Sequence, residues 1–181
     1  MSELIGYYSL EQTNDKKGYL GAILVIDKKG IPQEFRVTHS IKPTVIQKQL
    51  YGESLVEYIG VTLCGLPLYN SLKVKPKALM VNQKILLGIG DEINCFVAFA
   101  KNPGEAYVLG ENHNEETGKI TSDNGLFKPF FVSYPQNYDQ QKELDSKEYL
   151  QGFATSVDIL EPFKRIKTAL DALAEQENQF R

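Results

Sequence analysis

The strongest hydrophobic signal lies at residues 19–26, where both alternating sets are apolar: Leu20, Ala22, Leu24 and Ile26 on one side, Tyr19, Gly21, Ile23 and Val25 on the other. A strand apolar on both faces belongs inside a sheet covered on both sides, so this run is expected at the sheet's centre. Residues 3–10 read as an earlier strand, and the polar string 11–17 as a loop closing on Gly18. Residues 27–32 make a hairpin-type connection through Gly30 and Pro32. The next run, 33–41, alternates: Phe35, Val37, His39 and Ile41 share one face, and Glu34, Arg36, Thr38 and Ser40 the other. That pattern predicts a half-buried strand.

A helix follows, begun either by Thr44 as N-cap or by Pro43 in the first turn. Ile46, Leu50, Leu55 and Ile59 give it one apolar stripe, with Gly52 and Gly60 lowering its propensity by about 1 kcal/mol each. It ends at Gly60, or runs on to Gly65 before Pro67 stops it. Residues 78–81 and 95–100 read as buried strands, with 84–93 between them as a short helix or a bulged strand. Residues 101–118 are loop-rich, and 130–134 form a last strand stopped by Pro135.

From 136 the chain becomes polar, then helical. Phe163, Ile166, Leu170 and Leu173 alternate steps of three and four, with Asp158 and Glu161 as a candidate capping box. Two heptads are too short to stand alone, so this seam must dock on its own sheet or on another chain. The fold class expected is α+β: a mainly antiparallel central sheet packed by helices, with a C-terminal amphipathic helix. Residues 1–136 are expected as the core domain and 137–181 as a linker and helical segment.

Composition narrows the picture. A chain of 181 residues is long enough to bury one good core, and 42% hydrophobic with 24% charged residues is a globular balance. The net charge of -3 lacks the positive field that drives phosphate binding, which disfavours direct nucleic-acid binding. No apolar run approaches bilayer length, and the first residues do not read as a signal peptide. Cys64 and Cys95 sit in apolar surroundings without CxxC spacing, as buried thiols of a reducing compartment would. The cytoplasm is the expected address.

Candidate chemistry is sparse. The polar row on the 33–41 strand offers a rigid ligand site: Arg36 for a carboxylate or phosphate, Glu34 and Thr38 beside it, and His39 nearby. The same row also reads as a solvated outer face in which Glu34 and Arg36 merely pair across strands. His39 has no evident orienting partner, and the cluster at 111–116 around His113 fits neither a zinc nor a calcium pattern. No Walker loop, HExxH or GxSxG occurs, and residues 88–93 lack the third glycine of a dinucleotide loop. No catalytic residue, metal ligand or cofactor is assigned, and catalysis is left open.

Gly18, Tyr19, Leu20 and Gly21, then Asp27, Gly30, Pro32, Glu34, Phe35 and Arg36, then Pro43, Thr44, Gln47, Leu50, Tyr51 and Gly52 form a pattern. It resembles a family of uncharacterised bacterial proteins, with no activity to carry over. The strand, tight turn and strand of 21–32 are also similar to roadblock-type and profilin-like domains, which implies a binding or dimerisation platform.

The first functional expectation is therefore a non-catalytic protein-protein interaction or assembly subunit of a bacterial cytoplasmic complex. Its interface would be Phe163, Ile166, Leu170 and Leu173, and its partner another protein or a second copy. The alternatives are a small-ligand-binding protein or enzyme using Glu34, Arg36, Thr38 and His39, and an accessory subunit of a nucleic-acid-processing or defence complex.

Overall fold

The computed structural model describes residues 3–101, 118–122 and 124–179, the side chains of 176–179 excepted. Seven strands form one sheet: β1 (Leu4–Gln12), β2 (Tyr19–Asp27), β3 (Pro32–Val37), β4 (Ala78–Val81), β5 (Phe96–Lys101), β6 (Lys119–Ile120) and β7 (Phe130–Ser133). Their spatial order is β3-β2-β1-β4-β5-β7-β6. β1 pairs antiparallel with β2 over its whole length and parallel with β4, and β4 pairs parallel with β5. The remaining pairings, β2 with β3, β5 with β7 and β6 with β7, are antiparallel.

The sheet is thus mixed, which corrects the expectation of a mainly antiparallel one. No hairpin joins β1 to β4; the chain returns between them through a long helical crossover, and a crossover of that kind brings strands back parallel. The doubly apolar β2 lies second from the edge, and the middle position belongs to the short, wholly buried β4. Pro32 opens the edge strand β3, where a missing N–H is tolerated.

The crossover starts where the sequence signals a helix. Thr44 caps α1 (Val45–Tyr51): its hydroxyl accepts from the Gln47 amide at 3.2 Å, and the Gln47 side chain accepts from the Thr44 amide at 2.8 Å. Gly52 then breaks the helix with φ at +53°, a conformation open to glycine. After a 3-10 turn the chain continues as α2 (Leu55–Tyr58), a π-helical segment Ile59–Gly65, and α3 (Leu66–Ser71). Residues between β4 and β5 form a 3-10 helix, Lys84–Asp91. Two helices close the chain, α4 (Gln140–Ala154), capped by Asp139, and α5 (Glu161–Gln179).

Each sheet face carries its own core. On one, Ile5, Tyr7, Leu24, Met80 and Val132 pack under Leu150 and Phe153 of α4 and Ile166 and Leu170 of α5. On the other, Tyr8, Leu10, Ile23, Leu79 and Val97 pack under Leu55, Ile59, Cys64 and Leu68 of the crossover and Leu86 and Ile89. Among the described residues no helix is long and apolar enough to cross a membrane.

Candidate functional site

β1 and β4 run parallel only as far as the pair Tyr8↔Val81. Beyond it, the side chains of Asn82 and Gln83 continue the ladder: Asn82 Oδ1 accepts from the Leu10 amide at 3.1 Å, and Gln83 Nε2 donates to the Leu10 carbonyl at 2.7 Å. Ser9 and Glu11 alternate with Leu10, so they lie on the α5 side of the sheet. There the Ser9 hydroxyl donates to Glu11 Oε1 at 2.6 Å. Asn82 Nδ2 donates to Ser9 Oγ at 2.7 Å and to Glu11 Oε1 at 3.0 Å. Three polar side chains thus converge at the carboxyl ends of two parallel strands, the part of an open α/β sheet where ligands bind.

Glu11 is the member of this cluster that lines a cleft. The cleft, of about 360 Å³, lies between the end of β1, the 13–15 loop and α5. Lys42 and Ser40 form one wall; Lys167, Leu170 and Asp171 form the other. The loop is held from within. Asp15 Oδ1 accepts from the Thr13 hydroxyl at 2.5 Å and the Lys17 amide at 3.0 Å, and Lys42 Nζ reaches Oδ2 at 3.4 Å. Chiefly through the Thr13 hydroxyl, and then the Lys17 amide, the Asp15 carboxyl is lowered to about 2. Lys42, paired with Asp15, and Lys167 thus line the same cleft as Glu11 and Asp171.

The residues proposed from sequence are placed elsewhere. Glu34 and Arg36 do meet, at 2.6 Å, but Glu34 Oε2 also accepts from the Lys73 and Val74 amides at 2.8 and 3.1 Å. Desolvation works against ionisation of Glu34, yet these amides and Arg36 outweigh it and leave the carboxyl below its ordinary value. Thr38 accepts from the Gly21 amide at 3.0 Å and contacts Cys64 Sγ. His39 is exposed beyond the end of β3. Of the helical seam, Ile166 and Leu170 are buried, Phe163 packs edge-on against Tyr7 at 5.3 Å, and Leu173 is 42% exposed. Cys64 and Cys95 are buried, and burial raises both thiols, Cys95 to about 12. The 111–116 cluster lies outside the described residues.

Sequence reading assigned Glu11 to a loop and passed over Ser9 and Asn82. The available signal was polar residues breaking into apolar strands at their carboxyl ends, Ser9 and Glu11 in LIGYYSLEQ and Asn82 directly after ALMV.

The sequence matches no family model and no curated protein. The fold has clear likenesses. The catalytic domain of human endonuclease V aligns over 99% of this chain and 85% of its own, at 10% identity and a TM-score of 0.64. Endonuclease V from Streptomyces avermitilis aligns over 98% and 83%, at 12% identity and 0.63. Endonuclease V of Ciona intestinalis, in complex with a 24mer DNA containing an inosine followed by a ribo-adenosine, aligns over 93% and 87%, at 11% identity and 0.50.

These likenesses overturn the expected non-catalytic interaction or assembly subunit, with its protein-binding and oligomer reading. The fold is that of proteins named endonuclease V. They equally overturn the disfavouring of direct nucleic-acid contact, since a protein of this fold holds DNA. A net charge does not report where charges lie: the fold brings Lys42 and Lys167 into one cleft, together with Glu11, Asp15 and Asp171. Across nearly its whole length the chain has the fold of endonuclease V.

Proposed function

We propose that this chain is a nucleic-acid-processing protein that takes a strand of DNA or RNA into the cleft between the end of β1 and α5. The observation that carries this reading is the convergence of Ser9, Glu11 and Asn82 at the switch between β1 and β4, on a fold shared with endonuclease V. Lys42 and Lys167 contact backbone phosphates, which position a strand without reading its sequence. The Glu11 carboxylate keeps phosphates off the cleft floor and leaves that place to neutral donors of sugar or base, such as exocyclic amines or a 2′-hydroxyl.

Fluorescence anisotropy with labelled single-stranded and duplex oligonucleotides, with and without an inosine, tests the proposal on the full chain. Saturable binding at low salt is expected, weakening as salt rises. The Lys42→Ala/Lys167→Ala double variant should lose affinity for all sequences alike, and its salt slope should fall by about one to two units. Absence of binding at low salt, or an unchanged slope in the double variant, overturns the reading.

A further inference from the structure

Hydrolysis of a phosphodiester is commonly achieved by a pair of divalent cations about 4 Å apart, which stabilise the attacking and leaving oxygens together. Such hard cations are held by carboxylate oxygens, several of them converging on one point. Among the described residues, the β1 and β4 ends offer one carboxylate, Glu11, beside the hydroxyl of Ser9 and the amide of Asn82. The other acidic residues lining the cleft do not complete the set. Asp15 is held by Thr13, the Lys17 amide and Lys42. Asp171 stands on the α5 wall, and among the described residues no three Asp, Glu, His or Cys side chains come together as a metal site.

The cluster is also closed on itself. Asn82 presents two N–H donors to Ser9 Oγ and Glu11 Oε1, and donors repel a cation where a ligand would attract it. Its carbonyl oxygen, the one atom of the amide able to coordinate, is taken by the Leu10 amide. Ser9 is 1% exposed and directs its proton at the same Glu11 oxygen. The donor set therefore does not fit a metal pair. The network neutralises the one buried end of Glu11 by hydrogen bonds, in the place where a metal pair would neutralise several carboxylates by charge.

We infer that the described residues at the β1 and β4 ends hold nucleic acid without a divalent-cation pair, with Asn82 and Ser9 doing for Glu11 what cations would otherwise do. This rests on the nucleic-acid reading above. A specific consequence follows for Asn82: replacing its amide by a carboxylate sets two like charges side by side and removes both donors, which builds a cation site where none stood.

Two measurements on the full chain test the inference separately from the reading beneath it. The first is thermal unfolding of wild type, Asn82→Asp and Glu11→Gln with and without Mn²⁺. Wild type and Glu11→Gln should show no saturable upward shift, while Asn82→Asp should melt lower in chelator and recover as Mn²⁺ is added. A saturable shift in wild type that Glu11→Gln abolishes overturns the inference. The second is oligonucleotide affinity in chelator and in Mg²⁺ at constant ionic strength. Mg²⁺ should leave affinity unchanged or lower it, because the cation competes for phosphates. Affinity that rises with Mg²⁺ through Glu11 overturns the inference but keeps the nucleic-acid reading. Absence of affinity under both conditions overturns the nucleic-acid reading itself, whatever the melting curves show.

Discussion

Asp15 shows how much a single exposed carboxylate can organise when its partners are local. It accepts from the Thr13 hydroxyl and the Lys17 amide and thereby shapes the loop at one side of the cleft, where Lys16 adopts φ +56°. Its folded value of about 2 lies below its ordinary 3.8, so the sign of the linkage is fixed. The stabilisation is present above about 3.8 and is lost as pH falls toward 2. Urea midpoints measured down this range should fall less steeply for Asp15→Asn than for wild type. Glu34, also lowered, leaves a residual slope of the same sense in that variant. Equal slopes in the two proteins would show that Asp15 has no linked role. At this scale the sequence was partly legible. The sequence pattern predicts that Glu34 and Arg36 pair across strands, and they instead pair with each other as i,i+2 neighbours on one strand. The second attachment of Glu34, to amides 39 and 40 positions away, depends on how the crossover packs and carries no local signal.

Among the elements, the crossover departs most from its sequence pattern. Ile46, Leu50, Leu55 and Ile59 form a continuous stripe on an unbroken helix, yet Ile46 and Leu50 are 69% and 78% exposed while Leu55 and Ile59 are buried. Gly52 explains the split. A positive φ turns the chain between the two halves of the stripe, an outcome that a propensity penalty alone does not foresee. The π-helical segment has no sequence signature either, and its packing rests on glycines. Tyr8 Oη donates to the Gly60 carbonyl at 2.6 Å, and a Cβ on Gly60 would stand 2.3 Å from Leu86 Cδ2 and 3.0 Å from Leu10 Cδ2. Gly60→Ala should therefore destabilise by about 1–3 kcal/mol through overpacking. Gly152→Ala in α4, where nothing lies within 4 Å, should instead stabilise by roughly 0.5–1 kcal/mol. Denaturant titration of both variants checks the pair, and a Gly60→Ala change as benign as Gly152→Ala would contradict the packing argument. Strands were the more legible elements: 78–81 was read with the bounds observed, because a short run buried on both faces has a composition that few alternatives share.

At the scale of the whole molecule, the direction of the strands was the least legible property. Burial and alternation report which residues face a core and are silent on whether a neighbour runs parallel or antiparallel, so β4 and β5 could be found without their orientation. The cleft was hidden for a related reason: its residues come from β1, the 40–42 segment and α5, far apart in the chain. The contact between Ser9 and Asn82 spans 73 positions, and the whole helical crossover lies between them. Pairing so distant in sequence is entropically costly and slows folding, since a large loop must close before any contact rewards it. Native-state hydrogen exchange can follow this seam through the Leu10 amide, bound to Asn82 at 3.1 Å. That amide should exchange only with global opening, and the amides of α1, which has no buried residue, well before it. Exchange of Leu10 at the pace of α1 would show that the seam opens alone. The consequence reaches back to synthesis. A chain emerging from the ribosome can lay β1 against β2 early, but it holds Ser9 and Glu11 without their counterpart until β4 has emerged. The hydrogen-bonded cluster of Ser9, Glu11 and Asn82 arrives with the closing of the sheet, so a half-made chain that lacks β4 would carry no trace of it.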